Sequence, residues 1–364
     1  MNLDWISEHY KDLLLPIHIK EDSEYIDTIK KKYEDILLAF EGDEKTILLN
    51  FTNRIIESIY AYFKNDAVSS YEIIFSLMKE LSEDPDASHC FSSFKDCSIP
   101  RNKKGNTQLF RAREGISYIE YHADKMGHVP FNQRSKCAAN RYSIAGIPCL
   151  YLGNTSYVCW LEMGCPSDDK FCVSPYTIDG DLKFFNIAIP WHTLYSMLEE
   201  EEENRHLFMY MIKIYLLEIA TSVHVKQNDR QFHSEYIVSQ NIMKSCIKLN
   251  FNGIIYYSTH SSDNLMNLVC GYNIALYIDF KEEDDSSPIF ESKTHHGDSV
   301  NYAMFKNTLP SFNNMQYDLA VHNTGDIANI GSFKNQIPYF ETQFCKYDNF
   351  IFARWNEGPR DYAE

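Results

Sequence analysis

The sequence predicts an α+β protein, and three observations carry that expectation. The first 85 residues show helical periodicity alone. From about residue 106 onward, short β-like runs alternate with helices. The strands among them are separated by long, irregular connections. Hydrophobic residues make up 44% of the chain and aromatic residues 14%, enough for a sizeable core and too much for a disordered chain.

At 364 residues the prior is two domains, or one core with a large extension. The opening stretch MNLDWISEHYKDLLLP carries acids and lacks the basic-then-apolar order of a signal peptide. In Tyr25–Phe40, apolar residues at Ile26, Ile29, Tyr33, Ile36, Leu37 and Phe40 follow the spacing of a helix with one buried face. Leu48–Phe63 and Val68–Leu81 repeat the pattern, with Gly42, Asn65 and Pro85 as punctuation. These helices read as a packing, regulatory or partner-binding bundle. Ser88–Asn106 is polar and turn-rich and reads as a connection. Beyond it, Gln108–Ala112, Pro148–Gly153, Leu182–Ile189, Gly253–Tyr257 and Ile274–Phe280 read as strands. Thr155–Met163 reads as a helix capped by Asn154. Leu207–Ser222 and Glu235–Leu249 are helical by periodicity. The five glutamates Glu199–Glu203 and the acidic run Lys281–Ser287 read as solvated segments. The expected layout is a helical domain over 1–105, a core over 106–280, and an extension over 281–364 packed on that core.

Thirty-four Lys+Arg against 51 Asp+Glu leave a formal charge of −17, which disfavours general nucleic-acid binding and docking to anionic lipid. The most apolar stretch, Phe208–Ala220, is interrupted by Lys213 and Glu218, so no membrane span is expected. The ten cysteines show no CxxC spacing and lie mostly in apolar segments. They read as reduced, buried thiols in a cytoplasmic protein. There is no GxGxxG after a strand, no GxxxxGK[ST], no HExxH and no GxSxG. Glycine is scarce, at 14 residues, so a phosphate-cradling loop is not expected. Cys159, Cys165 and Cys172 lack the short paired spacing of structural zinc, and the adjacent His295 and His296 read as surface residues of a loop. No metal site is expected.

One segment breaks this bland pattern. Arg141 precedes a turn around Gly146, which feeds a strand containing Tyr151; a capped helix then carries Glu162 among apolar neighbours. A second segment runs from a helix containing Gln240, through the Asn252-Gly253 turn and a strand, to a hydroxyl- and amide-rich loop that begins at Ser258. With Phe110-Arg111-x-Arg113 upstream and Asn264-x-x-Asn267 downstream, these residues resemble the RES domain, a family named for its Arg, Glu and Ser. The Arg141–Tyr151–Glu162 block, spaced ten and eleven residues apart, is its most specific part, and the resemblance spans about residues 108–280. The serine block is looser: Ser258 aligns best, with Ser261 and Ser262 as alternatives.

The resemblance implies a core similar to the ADP-ribosyltransferase fold and an enzyme that consumes NAD+ as substrate, with no further cofactor. It implies cleavage of the nicotinamide–ribose bond, by a glycohydrolase or a phosphorylase, in a bacterial toxin or antiviral effector. The alternatives are a mono-ADP-ribosyltransferase and a non-catalytic sensor of NAD or ADP-ribose. Under it, Glu162 is the carboxylate that stabilises an oxocarbenium-like transition state. Arg141 clamps the pyrophosphate or ribose, with a structural ion-pair partner as its bland alternative. Tyr151 stacks on nicotinamide or ribose unless it is simply core, and Ser258 bonds the nicotinamide amide or the ribose edge. Arg111 binds phosphate, with Arg113 competing, while Asn264 and Asn267 shape their loop. The N-terminal helices are expected to restrain or trigger the core, or to receive an antitoxin, and a homodimer is expected on base rate alone.

Overall fold

The computed structural model describes residues 14–97, 99, 101, 107–190, 193–194, 197, 204–227, 230–260, 271–280, 287–308, 329–330 and 337–356. Its strands are β1 (Ile17–Ile19), β2 (Phe91–Ser93), β3 (Leu109–Glu114), β4 (Cys149–Gly153), β5 (Phe171–Ile178), β6 (Lys183–Asn186), β7 (Val223–Val225), β8 (Gly253–Tyr257), β9 (Tyr272–Tyr277), β10 (Thr294–His296), β11 (Val300–Asn301) and the short antiparallel pair β12 (Asn329–Ile330) and β13 (Ile337–Pro338). Its helices are α1 (Tyr25–Leu37), α2 (Gly42–Phe63), α3 (Ala67–Ser82), α4 (Ser156–Glu162), α5 (Arg205–Thr221), α6 (Tyr236–Lys248), α7 (Pro288–Lys293), α8 (Tyr302–Thr308) and α9 (Gln343–Asn356). The mixture of helices and sheet is the α+β class that the sequence predicts. Among the described residues, no helix is long and apolar enough to cross a membrane. The glutamate run Glu199–Glu203, most of the acidic run at 281–286, and Ser261, Ser262, Asn264 and Asn267 lie outside the described residues.

The chain divides into two compact units, each assembled from three separate stretches. The first holds Met1–Ser93, Ser135–Ile147 and Lys183–Thr259; the second holds Phe94–Arg134, Pro148–Leu182 and His260–Glu364. This division cuts across the expected boundaries at 105 and 280. The reason lies in what the N-terminal helices bury. Tyr25, Ile29, Tyr33, Ile36 and Leu37 form one buried face of α1. Two of its tyrosines reach α5: Tyr25 and Tyr33 donate to the carbonyls of Ala220 and Leu216, each at 2.8 Å. Twelve of the 17 residues of α5 are buried, so it can only be an internal helix that others cover. Further along, α3 packs on α6, and Asn241 of α6 donates to the Ser70 hydroxyl at 2.9 Å. The N-terminal helices thus share a core with elements that lie more than a hundred residues downstream.

Within this unit β6 pairs with β2 antiparallel and with β8 parallel, and a short parallel pair joins β1 to β7. Helix α2 starts at Gly42 rather than at the expected Leu48, because its first turn is stabilised by charge instead of apolar contact. Asp43 and Glu44 sit at the positive end of the helix, and Glu44 takes the Arg205 guanidinium through both oxygens.

The second unit is built on an antiparallel sheet in the order β10-β5-β3-β4-β9, with β11 also on β5. Its longest strand, β5, is absent from the sequence-based expectation: FCVSPYTI has seven of eight residues buried and contains a proline, so it lacks a clean two-residue alternation. Registers define two faces. Phe110 opposite Pro175 and Ala112 opposite Val173 share one face, and Phe110, Val173 and Phe171 pack there with Cys159 of α4, Tyr302 and Phe305 of α8, and Tyr347 of α9. Leu109, Arg111 and Arg113 take the other, opposite Tyr176, Ser174 and Cys172. Residues 294–301 are members of this sheet rather than part of an extension laid on it.

Candidate active site

In the second unit, the site is set by the way α4 leaves β4. Gly153 ends the strand, and a Cβ there would lie 2.5 Å from Val158 Cγ1 and 2.8 Å from Cys159 Sγ, so only glycine lets the helix fold back this closely. The N-cap of α4 is Thr155, whose hydroxyl accepts from Val158 N at 3.1 Å, and not the expected Asn154. Asn154 instead joins the turn to β9: its N–H donates to the Tyr272 carbonyl at 3.0 Å, and its Oδ1 accepts from Tyr272 N at 3.1 Å. The buried Asp348 of α9 accepts from Ser156 N at 3.1 Å and from the Tyr339 hydroxyl at 2.6 Å. Burial pushes this carboxyl up to about 7 against the pull of those hydrogen bonds.

Glu162 is the last residue of the helix so anchored. Its side chain is 32% exposed, and its Oε2 lies 3.7 Å from His260 Nε2. Its Oε1 accepts from Asn273 Nδ2 on β9 at 2.7 Å. Tyr151 of β4 is half-buried and pairs with Ala275. Gly153, Tyr151, Asn273 and Ala275 share a face, since directly opposed residues point the same way and alternate residues repeat it. The structure therefore gathers Tyr151, Asn273 and Glu162 around one end of β4.

Arg111 is placed differently. It belongs to the face of Leu109 and Tyr176, opposite the face that Phe110 shares with α4. Among the described residues no carboxylate pairs with it, and burial holds its guanidinium below the usual arginine range while Tyr176 opposes the shift. Its surroundings include His128 and His296, both held below the ordinary histidine range, first by burial and, after a backbone hydrogen bond that opposes it, by the Arg111 charge. His296 is not a loop surface residue: it stands on β10 and stacks on Tyr176, ring centroids 4.7 Å apart. Arg113 is exposed and donates to the Lys125 carbonyl.

Arg141 and Ser258 belong to the first unit. Arg141 and Tyr142 are the two central residues of a tight turn closed by reciprocal bonds between Asn140 and Ser143. Gln240 of α6 secures this turn by donating to the carbonyls of Asn140 and Ser143 at 3.2 and 3.1 Å. Past it, Gly146 adopts φ +80°, which a glycine takes without strain. Arg141 is only 8% exposed. Its guanidinium donates to the carbonyl of Tyr257 and lies over the rings of Tyr256 and Tyr142, 4.4 and 5.1 Å from their centroids. Ser258 follows directly at the end of β8 and is buried. The charge of Arg141 also reaches the buried Glu218, whose carboxyl is raised well above its ordinary value by burial.

The nine described cysteines form no disulfides; six are buried, Cys137 and Cys149 are half-buried, and Cys165 is exposed. The fold also brings Asp84 and Asp86 to His206, with one donor atom from each within 4.8 Å of the others. His206 Nδ1 and Asp86 Oδ2 are 2.6 Å apart, an ion pair if the ring is protonated. That grouping joins residues some 120 positions apart, which no ligand spacing in the sequence could reveal.

No family model matches the chain. It is 26% identical over 235 residues to the protein named "Putative toxin YopC" of Bacillus subtilis (strain 168). That alignment covers 61% of this chain and 51% of YopC, so the chain spans about half the length of the curated relative it matches. Among solved structures it is similar to a chain of the M. tuberculosis MbcT–MbcA toxin–antitoxin complex, with 10% identity and a TM-score of 0.29, over 57% of this chain and 90% of that one. At that score the likeness carries no argument about mechanism.

Proposed function

We propose that the chain is a toxin-like enzyme that cleaves the nicotinamide–ribose bond of NAD+. The observation that carries this reading is the Glu162 carboxylate, on a side chain 32% exposed and held at Oε1 by Asn273. In the reaction the C–N bond breaks with its electron pair passing to the nicotinamide ring nitrogen, and positive charge develops on the ribose. A carboxylate already fixed beside that charge stabilises the transition state more than the ground state. Water attacking the anomeric carbon and losing a proton gives ADP-ribose and nicotinamide; phosphate as nucleophile gives the ribose-1-phosphate ester instead. Tyr151, near the same strand end, offers an aromatic ring to the nicotinamide or ribose.

Arg111 carries its charge with no acid paired to it among the described residues, and is proposed to take an anion only on the sheet face away from α4. Arg141 and Ser258 keep the roles implied by the RES resemblance, with a qualification for Arg141. Its anchoring to the Tyr257 carbonyl makes it as much the residue that sets the end of β8, and hence Ser258, as a clamp. The similarity to YopC supports a toxin, and a toxin of this kind would be held in check by an antitoxin.

The test is nicotinamide release from NAD+ by the purified chain, wild type against Glu162→Ala. The variant is expected to fold normally and to lose about 10²–10³-fold in turnover, the usual cost of removing one preorganised charge-stabilising group. Equal turnover in the two proteins would refute the role of Glu162. Bound NAD+ without release would favour a sensor.

A further inference from the structure

Asn273 stands where an amide has no obvious business. It lies one residue into β9, is 4% exposed, and belongs to a strand whose six residues are all buried. Asparagine is depleted in strands, and an apolar side chain would suit such a position better. Its backbone already serves the ladder opposite Gly153. Its side-chain Nδ2 donates to Glu162 Oε1 at 2.7 Å; facing a carboxylate, the amide must turn its nitrogen, since its oxygen could only repel. Glu162 does not need this bond to survive burial, because water reaches a side chain that is 32% exposed.

We propose that Asn273 is the positioning residue of Glu162. By holding Oε1 it fixes the rotation of the carboxylate, so that Oε2, on the side of His260, is the oxygen offered to the reacting sugar. Oε2 lies 3.7 Å from His260 Nε2, beyond hydrogen-bond length, on a side chain that is 32% exposed. The rest of the local structure serves the same end: the Gly153 contact, the Thr155 cap, the Asn154–Tyr272 pair and the Asp348 bond to Ser156 fix the start of α4, and Asn273 fixes its last side chain. The inference rests on the reading of Glu162 given above.

The experiment compares wild type, Asn273→Ala, Asn273→Asp and Glu162→Ala by nicotinamide release, separating kcat from KM and recording thermal unfolding alongside. Asn273→Ala is expected to lower kcat about 10–100-fold while KM stays within about twofold, because the carboxylate is present but no longer oriented. Asn273→Asp is nearly isosteric and serves if the alanine variant fails to fold. Its two facing carboxylates must share a proton before one can donate, so its turnover should recover as the pH is lowered, which a merely destabilised protein would not do. Wild-type kcat in Asn273→Ala, with Glu162→Ala inactive, overturns the positioning role and spares the reading of Glu162. Full turnover in Glu162→Ala overturns both. If the wild type releases no nicotinamide, a crystal structure of Asn273→Ala decides: a Glu162 carboxylate in its original place overturns the inference, and a displaced one sustains it.

Discussion

Both units bury a carboxylic acid, and they do so in different ways. In the first, Glu218 accepts one bond at Oε2, from Ile189 N at 3.2 Å, while its buried Oε1 has no hydrogen-bond partner among the described residues. In the second, Asp348 has both oxygens engaged, by Ser156 N and the Tyr339 hydroxyl. Desolvation raises both acids, but the two bonds hold Asp348 to about 7, whereas Glu218 is raised well above its ordinary value. Desolvation is the larger influence on each acid, and the second hydrogen bond to the charged form is what sets Asp348 apart from Glu218. The contrast also separates the units by use. Glu218 is enclosed by packing in the first, while Asp348 steadies one end of a helix whose other end presents Glu162 to solvent.

The largest expected effect tests this contrast directly. A folded-state pKa near 7 against about 3.9 in the unfolded chain means that the native protein binds more protons between those values. The Asp348 contribution is therefore fully present below about pH 4, is lost as pH rises towards 7, and is level above it. Across the window the change is about 4 kcal/mol. Asp348→Asn keeps an acceptor for Ser156 N and should flatten that part of the profile, as read by urea unfolding from pH 4 to 9. Glu218→Gln should remove a separate loss of stability with rising pH, because burial raises its carboxyl well above the ordinary value. Indistinguishable profiles for the two variants would break the comparison.

A smaller effect separates two glycines. Gly153→Ala in the second unit drives a methyl into Val158 and Cys159 and is expected to cost about 1–3 kcal/mol in chemical denaturation. It should also depress nicotinamide release, because α4 must shift. Gly146→Ala in the first unit meets no atom within 4 Å and costs only the left-handed φ of +80°, about 1 kcal/mol. The smallest effect is Gln240→Ala, expected at about 1 kcal/mol, since it removes the donor to two turn carbonyls. An equal loss from both glycine substitutions would argue against the close approach of α4 to β4.

The helices α1, α3 and α6 were legible from their one-sided periodicity, and α5 and β8 from apolar runs bounded by polar or turn residues; all lie within a few residues of the expected spans. What was hidden depends on pairing between distant segments. Strand β5 is buried on both faces and carries a proline, so no period marks it. Glu162 stood out as an acid in an apolar helix, but Asn273, 111 residues away, had no signal beyond an amide at the head of an apolar run. His260 and Asp348 likewise acquire meaning only through what the fold sets beside them. Arg111 was expected beside the other site residues, yet strand alternation alone turns it to the face away from α4.

The interleaving of the two units has a consequence for synthesis. Neither is written in one stretch: β2 waits about ninety residues for β6, and α4 lacks the Asp348 contact until α9 has been made. A growing polypeptide emerging from a ribosome therefore carries the Glu162 carboxylate long before anything can hold it in place. Under the proposed NAD+-cleaving function, that order would amount to a delay fuse. It also means that trimming the first hundred residues would not release a free-standing core, because β2, the edge partner of β6, would leave with them.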